Sequence, residues 1–210
     1  MKNKYLFAYL GGAEKAVQKT AFSPVLPEDA FSSLKNEVLR CNSCRLRAGA
    51  TQVVFGEGNN RARLMFVGEA PGADEDRQGR PFVGAAGKLL DKILAAAKIS
   101  REEVFITNII KCRPPRNRMP AKEEVAACLP HLQRQIRLIA PKIIVCLGAL
   151  ATQTLIDDKA RVSVVRGQWF ERYNARIMAT FHPAALLRDA SKKRPVWEDI
   201  QKIRDEYRLL

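Results

Sequence analysis

At 210 residues, 47% of them apolar, the chain has enough material for one hydrophobic core and too little for two ordinary domains. Its 36 Lys and Arg stand against 22 Asp and Glu, a formal charge of +14 that fits a polyanionic partner, nucleic acid first, although charge alone specifies no chemistry. No apolar run approaches the roughly 20 residues needed to cross a bilayer, so no integral membrane protein is expected.

Lys2 and Lys4 precede a short apolar stretch at 5–10 that imitates a signal peptide until Glu14 and Lys15 interrupt it. Residues 1–30 therefore read as an N-terminal extension, with a turn-rich segment at 23–28, and residues 31–210 as a single domain. From there the apolar segments alternate between short β-like runs and longer helical ones, without an internal repeat, which predicts an α/β layer fold. In chain order the pattern gives a strand at 64–67 and a helix at 86–97 with Leu89, Leu90, Ile93 and Leu94 at helical spacing. A strand at 104–107 follows, then a helix at 121–139 carrying Val125, Cys128, Leu132, Ile136 and Ile139. Strands at 143–147 and 177–180 and a helix at 196–208 complete the series.

Unusual residues follow these strands: Gly68-Glu69-Ala70-Pro71-Gly72 the first, Asn108 the second, Gly148 the third and Phe181-His182-Pro183 the fourth. Open parallel sheets bind ligands outside the carboxyl ends of their strands, so the four segments are expected to converge on one rim.

Cys41 and Cys44 form a C-x-x-C pair, Cys112 and Cys128 lie downstream, and Cys146 sits inside an apolar strand. The simplest division assigns four to one site and leaves Cys146 as a small core residue. Disulfides suit a basic, intracellular-looking α/β chain poorly. Four cysteines hold either tetrahedral zinc or an iron–sulfur cluster, and spacing does not separate the two. Cys112 precedes Arg113-Pro114-Pro115 and belongs to a loop, whereas Cys128 is helical, so a metal centre would clamp the N-terminal third onto the core in a structural role. His131, following Pro130 on that helix, reads as a surface or packing residue.

Residues 68–84 combine Gly68, Gly72, Gly79 and Gly84 with Pro71 and Pro81, which predicts a loop that approaches a ligand closely. No phosphate-loop pattern is present, and Asp74, Glu75 and Asp76 would repel phosphate. This run resembles the first motif of the family 4, iron–sulfur uracil-DNA glycosylases, and Phe181-His182-Pro183-Ala184-Ala185-Leu186-Leu187-Arg188 resembles their second. Residues 106–115 are similar to a middle segment of that family, and the four cysteines stand in its order. The resemblance, from about Cys41 to the C-terminus, implies a three-layer α/β fold with a central four-stranded parallel sheet flanked by helices. It implies a 4Fe–4S cluster on Cys41, Cys44, Cys112 and Cys128. It also implies hydrolysis of the bond between uracil and deoxyribose in single- or double-stranded DNA, which releases uracil, leaves an abasic site and begins base excision repair. A cytoplasmic, nucleoid-associated monomer without membrane attachment is expected.

On this resemblance Phe82 stacks on a base flipped out of the duplex, in a pocket that includes Ala70 and Gly72. Asn108 offers an amide donor to uracil O4 and an oxygen to N3–H, a pattern that cytosine reverses. His182 donates to O2 and stabilises the departing anion, for which a neutral imidazole suffices. Leu186 is expected to fill the gap left by the flipped nucleotide, and Arg113, Arg116, Arg118 and Arg188 to grip phosphates. Family 1 enzymes carry an aspartate where this chain has Ala70, so no general base is supplied there. Glu69 and Glu75 are the remaining acids. Glu75 is expected first to crowd the 5-methyl of thymine, since Gly72 aligns with the family 1 tyrosine that does so, and second to act in catalysis. Two other readings are weaker. A relative that traps uracil covalently needs a histidine that 148–181 lacks, and a non-enzymatic DNA-binding module has no use for Phe82, Asn108 and His182 together.

Overall fold

The computed structural model describes residues 27–210, so the apolar stretch at 5–10 and most of the turn-rich segment lie outside the described residues. Helix α1 (Pro27–Leu39) already begins within the expected extension. Pro at its first position suits a turn whose N–H groups have no intrahelical partner. Its Leu34 and Val38 are fully buried in the core.

The sheet corrects the expectation of four strands. It is mixed and six-stranded, in the order β1-β3-β2-β4-β6-β5. The strands are β1 (Glu57–Gly58), β2 (Leu64–Gly68), β3 (Phe105–Asn108), β4 (Ile143–Leu147), β5 (Trp169–Arg172) and β6 (Ala175–Thr180). Pairing is parallel between β3, β2, β4 and β6 and antiparallel for the edge strands β1 and β5. Neither edge strand carries an apolar run: β1 is two residues long, and β5 is only partly buried.

Helices cover both faces. On one side lie α1, α2 (Leu46–Gly49), α5 (Lys122–Ile139) and α6 (Ala149–Leu155), packed with Met65, Val67, Ile144 and Cys146. On the other lie α4 (Ala85–Ala96), α8 (Pro183–Arg188) and α9 (Lys193–Arg208), packed with Leu64, Phe66, Ile143 and Val145. Successive residues of β2 and β4 thus enter opposite cores, which is why these strands read as unbroken apolar runs. Each such buried side chain contributes roughly 1.5–3 kcal/mol. Two short helices, α3 (Ala73–Gln78) and α7 (Val162–Val165), complete the fold. Among the described residues no helix is long and apolar enough to cross a membrane.

Candidate active site and cysteine centre

The carboxyl ends of the parallel strands bring the motif residues to one rim. Gly68 and Asn108 end β2 and β3 side by side in register. A Cβ on Gly68 would lie 2.4 Å from Asn108 Oδ1 and 2.6 Å from the Phe82 ring, so these two side chains occupy space that only glycine leaves. Gly148, after β4, has φ +91°, and its Cβ would come within 3.0 Å of His182 Cβ. Phe82 and His182 stack with ring centroids 5.4 Å apart and planes 29° apart.

Phe82 reaches the rim on the turn between α3 and α4 with φ +52°, a left-handed backbone that costs a non-glycine residue about 1–3 kcal/mol. Glu75 over-determines that turn. Its Oε1 accepts from the N–H groups of Val83 (2.9 Å) and Gly84 (2.8 Å), and its Oε2 from that of Gly72 (3.1 Å). The acid-rich run expected as a loop is therefore in part the helix α3, with Asp74, Glu75 and Asp76 in the first turn, where the helix dipole favours negative charge. Asp76 is buried and accepts from the backbone of Thr51 and Gln52.

Two polar groups stand out at the rim. Asn108 is 2% exposed, and its Oδ1 has no hydrogen-bond partner. Such an orphan costs about 1–3 kcal/mol, and its persistence points to a ligand that supplies the missing donor. His182 Nδ1 accepts from the N–H of Ala184 at 3.1 Å, which leaves the proton of the neutral ring on Nε2. Burial, then the charge of Arg188, pushes the imidazole pKa down to about 4, against an opposing pull from Glu75. The ring is therefore a neutral donor near pH 7. Glu69 is half-buried and its carboxyl is pushed up by burial; Ala70 and Gly72 lie partly buried in the same loop.

Lys111 was not singled out by sequence, although a lysine within the apolar run 109–112 was a readable signal. It is 1% exposed, and its Nζ donates to Thr107 Oγ1 (2.6 Å), Gln135 Oε1 (2.6 Å) and the carbonyl of Asn108 (2.8 Å). Its own N–H donates to Cys128 Sγ at 3.3 Å. One side chain thus ties Asn108 to the helix that carries Cys128. Lys111→Met leaves three buried oxygens short of a donor and should lower stability to urea by about 1–3 kcal/mol; an unchanged midpoint would show that the lysine holds nothing together.

Two residues expected to face DNA are engaged within the protein. Leu186 is 3% exposed and packs in the core with Phe82 and Leu90, so it cannot project from α8; the exposed leucine there is its neighbour Leu187, at 55%. Arg118 donates through both terminal nitrogens to the buried carboxylate of Glu124, which Arg45 also contacts, so in this structure its charge is paired within the protein. Arg113 donates to Asn117 Oδ1, while Arg116 and Arg188 are exposed.

Cys41, Cys44, Cys112 and Cys128 line one small cavity, walled also by Val38, Val53 and Ile110. Cys146 is fully buried in β4, away from it. The Cys112 thiol is pushed up to about 12 by burial and by the neighbouring Cys128 and Cys44. Cys128 is raised likewise by burial, so ionising these two thiols together calls for a cationic centre to hold their charge. Among the described residues no three His, Cys, Asp or Glu side chains converge as ligands of a single ion. Of the two roles expected for His131, surface or packing, it takes the second: it is buried against this cavity with Nε2 3.2 Å from Cys41 Sγ.

Comparison with known proteins gives a consistent picture. A model described as the uracil DNA glycosylase superfamily matches residues 55–201. A type-4 uracil-DNA glycosylase of Sulfurisphaera tokodaii is 44% identical over 186 residues, covering 84% of each chain. One of Thermotoga maritima is 45% identical over 179 residues, 83% of this chain and 93% of the relative. A type-5 uracil-DNA glycosylase of Pyrobaculum aerophilum is 32% identical over 146 residues, 61% of this chain and 64% of the relative.

Proposed function

The chain belongs to the uracil-DNA glycosylase superfamily, and from that membership we propose that it hydrolyses the N-glycosidic bond of deoxyuridine in DNA, releasing uracil and leaving an abasic site. It is an enzyme of DNA repair, a DNA N-glycosylase of the type-4 kind. The observation that carries the site assignment is the orphaned Oδ1 of Asn108, which with the Phe82 ring crowds Gly68, while the neutral His182 imidazole stacks on that ring. Uracil supplies what this set lacks. Its N3–H satisfies the amide oxygen, its O4 accepts from the Asn108 amide, and its O2 accepts from His182 while one ring face stacks on Phe82.

As the glycosidic bond lengthens, the sugar becomes cationic and negative charge collects on the uracil oxygens. Donors already aimed at those oxygens then gain strength without reorganising. No carboxylate stands at Ala70, and the Glu75 oxygens both accept backbone N–H groups, so Glu75 acts by fixing the turn that carries Phe82. That turn also limits the room beside the base, where a 5-methyl group would go. Glu69, pushed toward the protonated form by burial, is the acid left to orient water or balance sugar charge.

The four cysteines hold a 4Fe–4S cluster, which braces the N-terminal helix against α5. The donor set and largely apolar walls fit it. The enzyme acts on single- and double-stranded DNA as a monomer in the cytoplasm, at the nucleoid.

On duplex DNA the exposed Leu187 enters the stack behind the flipped nucleotide, while Arg113, Arg116 and Arg188 contact phosphates. Leu187→Ala should therefore reduce the rate on duplex uracil by about tenfold, a cost of the order of the unstacking energy it offsets, and leave single-stranded substrate nearly unaffected. Equal losses on the two substrates would contradict a wedge. The activity itself is tested by incubating the protein with uracil-containing oligonucleotides and scoring free uracil and alkali-labile abasic sites. Failure to release uracil from either kind of strand would overturn the proposal.

A further inference from the structure

A cleft of about 530 Å³ opens at the opposite end of the sheet from the uracil site. Arg61 and Arg63, just before β2, line it together with Lys98 from the turn after α4 and Arg204 and Arg208 from the last turns of α9. Glu103 lines it too, and Asp205 pairs with Arg204 at 2.8 Å, yet among the described residues lining the cleft basic side chains predominate. Tyr207 forms part of the wall, and the Arg63 guanidinium sits 5.5 Å from its ring centre, a cation–π contact that orients the arginine. β2 runs from this cleft to Gly68 at the catalytic rim, and its five residues separate the two by about 16 Å.

We propose that this cleft is a second DNA-binding site, which takes the phosphodiester backbone of a segment other than the one being searched for uracil. The proposal rests on DNA being the substrate. The form of the cleft favours a strand over a free nucleotide. A compact triphosphate is ordinarily cradled by the N–H groups of a helix N-terminus, whereas this cleft presents side-chain cations spread over three chain segments. Cations spread in this way match successive phosphates, each contact releasing counterions. A protein holding two segments at once moves from one to the other without passing through solution, so its departure from the first depends on the concentration of the second.

The test uses the full chain. A labelled, uracil-free duplex is dissociated from the protein by increasing amounts of unlabelled duplex. The dissociation rate should rise with chase concentration in the parent and become independent of it in Lys98→Glu/Arg208→Glu, which alters two exposed side chains. Single-turnover uracil release from a short substrate should stay within about twofold in that variant, as for surface changes remote from the site. A chase-independent rate in the parent, or an unchanged dependence in the variant, would overturn the second site. Tight binding of a nucleoside triphosphate that the double substitution abolishes, with DNA transfer intact, would make the cleft a nucleotide site and equally overturn it. Because dissociation is read on uracil-free DNA, its outcome is independent of whether the protein excises uracil.

Discussion

Asn108→Ala is expected to slow uracil release by about 10²–10³-fold while leaving the fold at least as stable as before, and the combination identifies the residue's role. The rate falls because the variant has neither the oxygen for uracil N3–H nor the amide donor for O4. Stability does not fall, because the deleted Oδ1 is an unpartnered buried oxygen in the free protein and its removal relieves a cost. A structural asparagine would behave in the opposite way, losing stability first and activity through it. Single-turnover rates with an unfolding curve decide the matter. Activity near the parent's, or a collapse in stability that accounts for the lost activity, would contradict the assignment.

His182→Ala should cost a similar factor, and the pH dependence of the parent reports the same group. With its pKa near 4 the imidazole is neutral across the physiological range, with the proton fixed on Nε2 by the Ala184 contact. The histidine contribution to the rate should accordingly be level from pH 8 to about 5 and change only as pH falls through about 4. Stability carries a related signature. Between about pH 6.5 and 4 the unfolded chain holds a proton on this ring that the folded chain does not, so stability declines as pH is lowered through that window. His131, also lowered by burial, acts in the same direction. A rate profile with an inflection near 6.5 that disappears in His182→Ala would show that the ring titrates normally and is not the neutral donor described above.

The parallel strands were legible because burial on both faces leaves unbroken apolar runs such as 64–67 and 143–147, and the rim residues because they follow those runs directly. The edge strands were not: Glu57–Gly58 is held by pairing to Phe105 and Ile106, a tertiary partner that no local pattern announces. Helix α3 hid within glycines and acids that read as a loop, although three acids in a first turn are themselves a helix signal. Leu186 and Leu187 illustrate a limit of phase. Adjacent leucines on a six-residue helix have equal claims from sequence, and the packing of α8 against α4 decides which is buried. For Lys111 and His131 the unusual residue was readable but its environment was not, since their partners Gln135 and Cys41 lie far away in the chain.

The proposed function assigns the work of catalysis to stabilising the leaving uracil, and this claim is tested most directly by varying the base. 5-Fluorouracil leaves as a more stable anion than uracil and needs less help from donors at its oxygens. Single-turnover excision of both bases by the parent and by His182→Ala should show a deficit in the variant that is at least about tenfold smaller for 5-fluorouracil than for uracil. Equal deficits on the two bases would contradict anion stabilisation as the role of His182 and shift the chemistry to the sugar or the water.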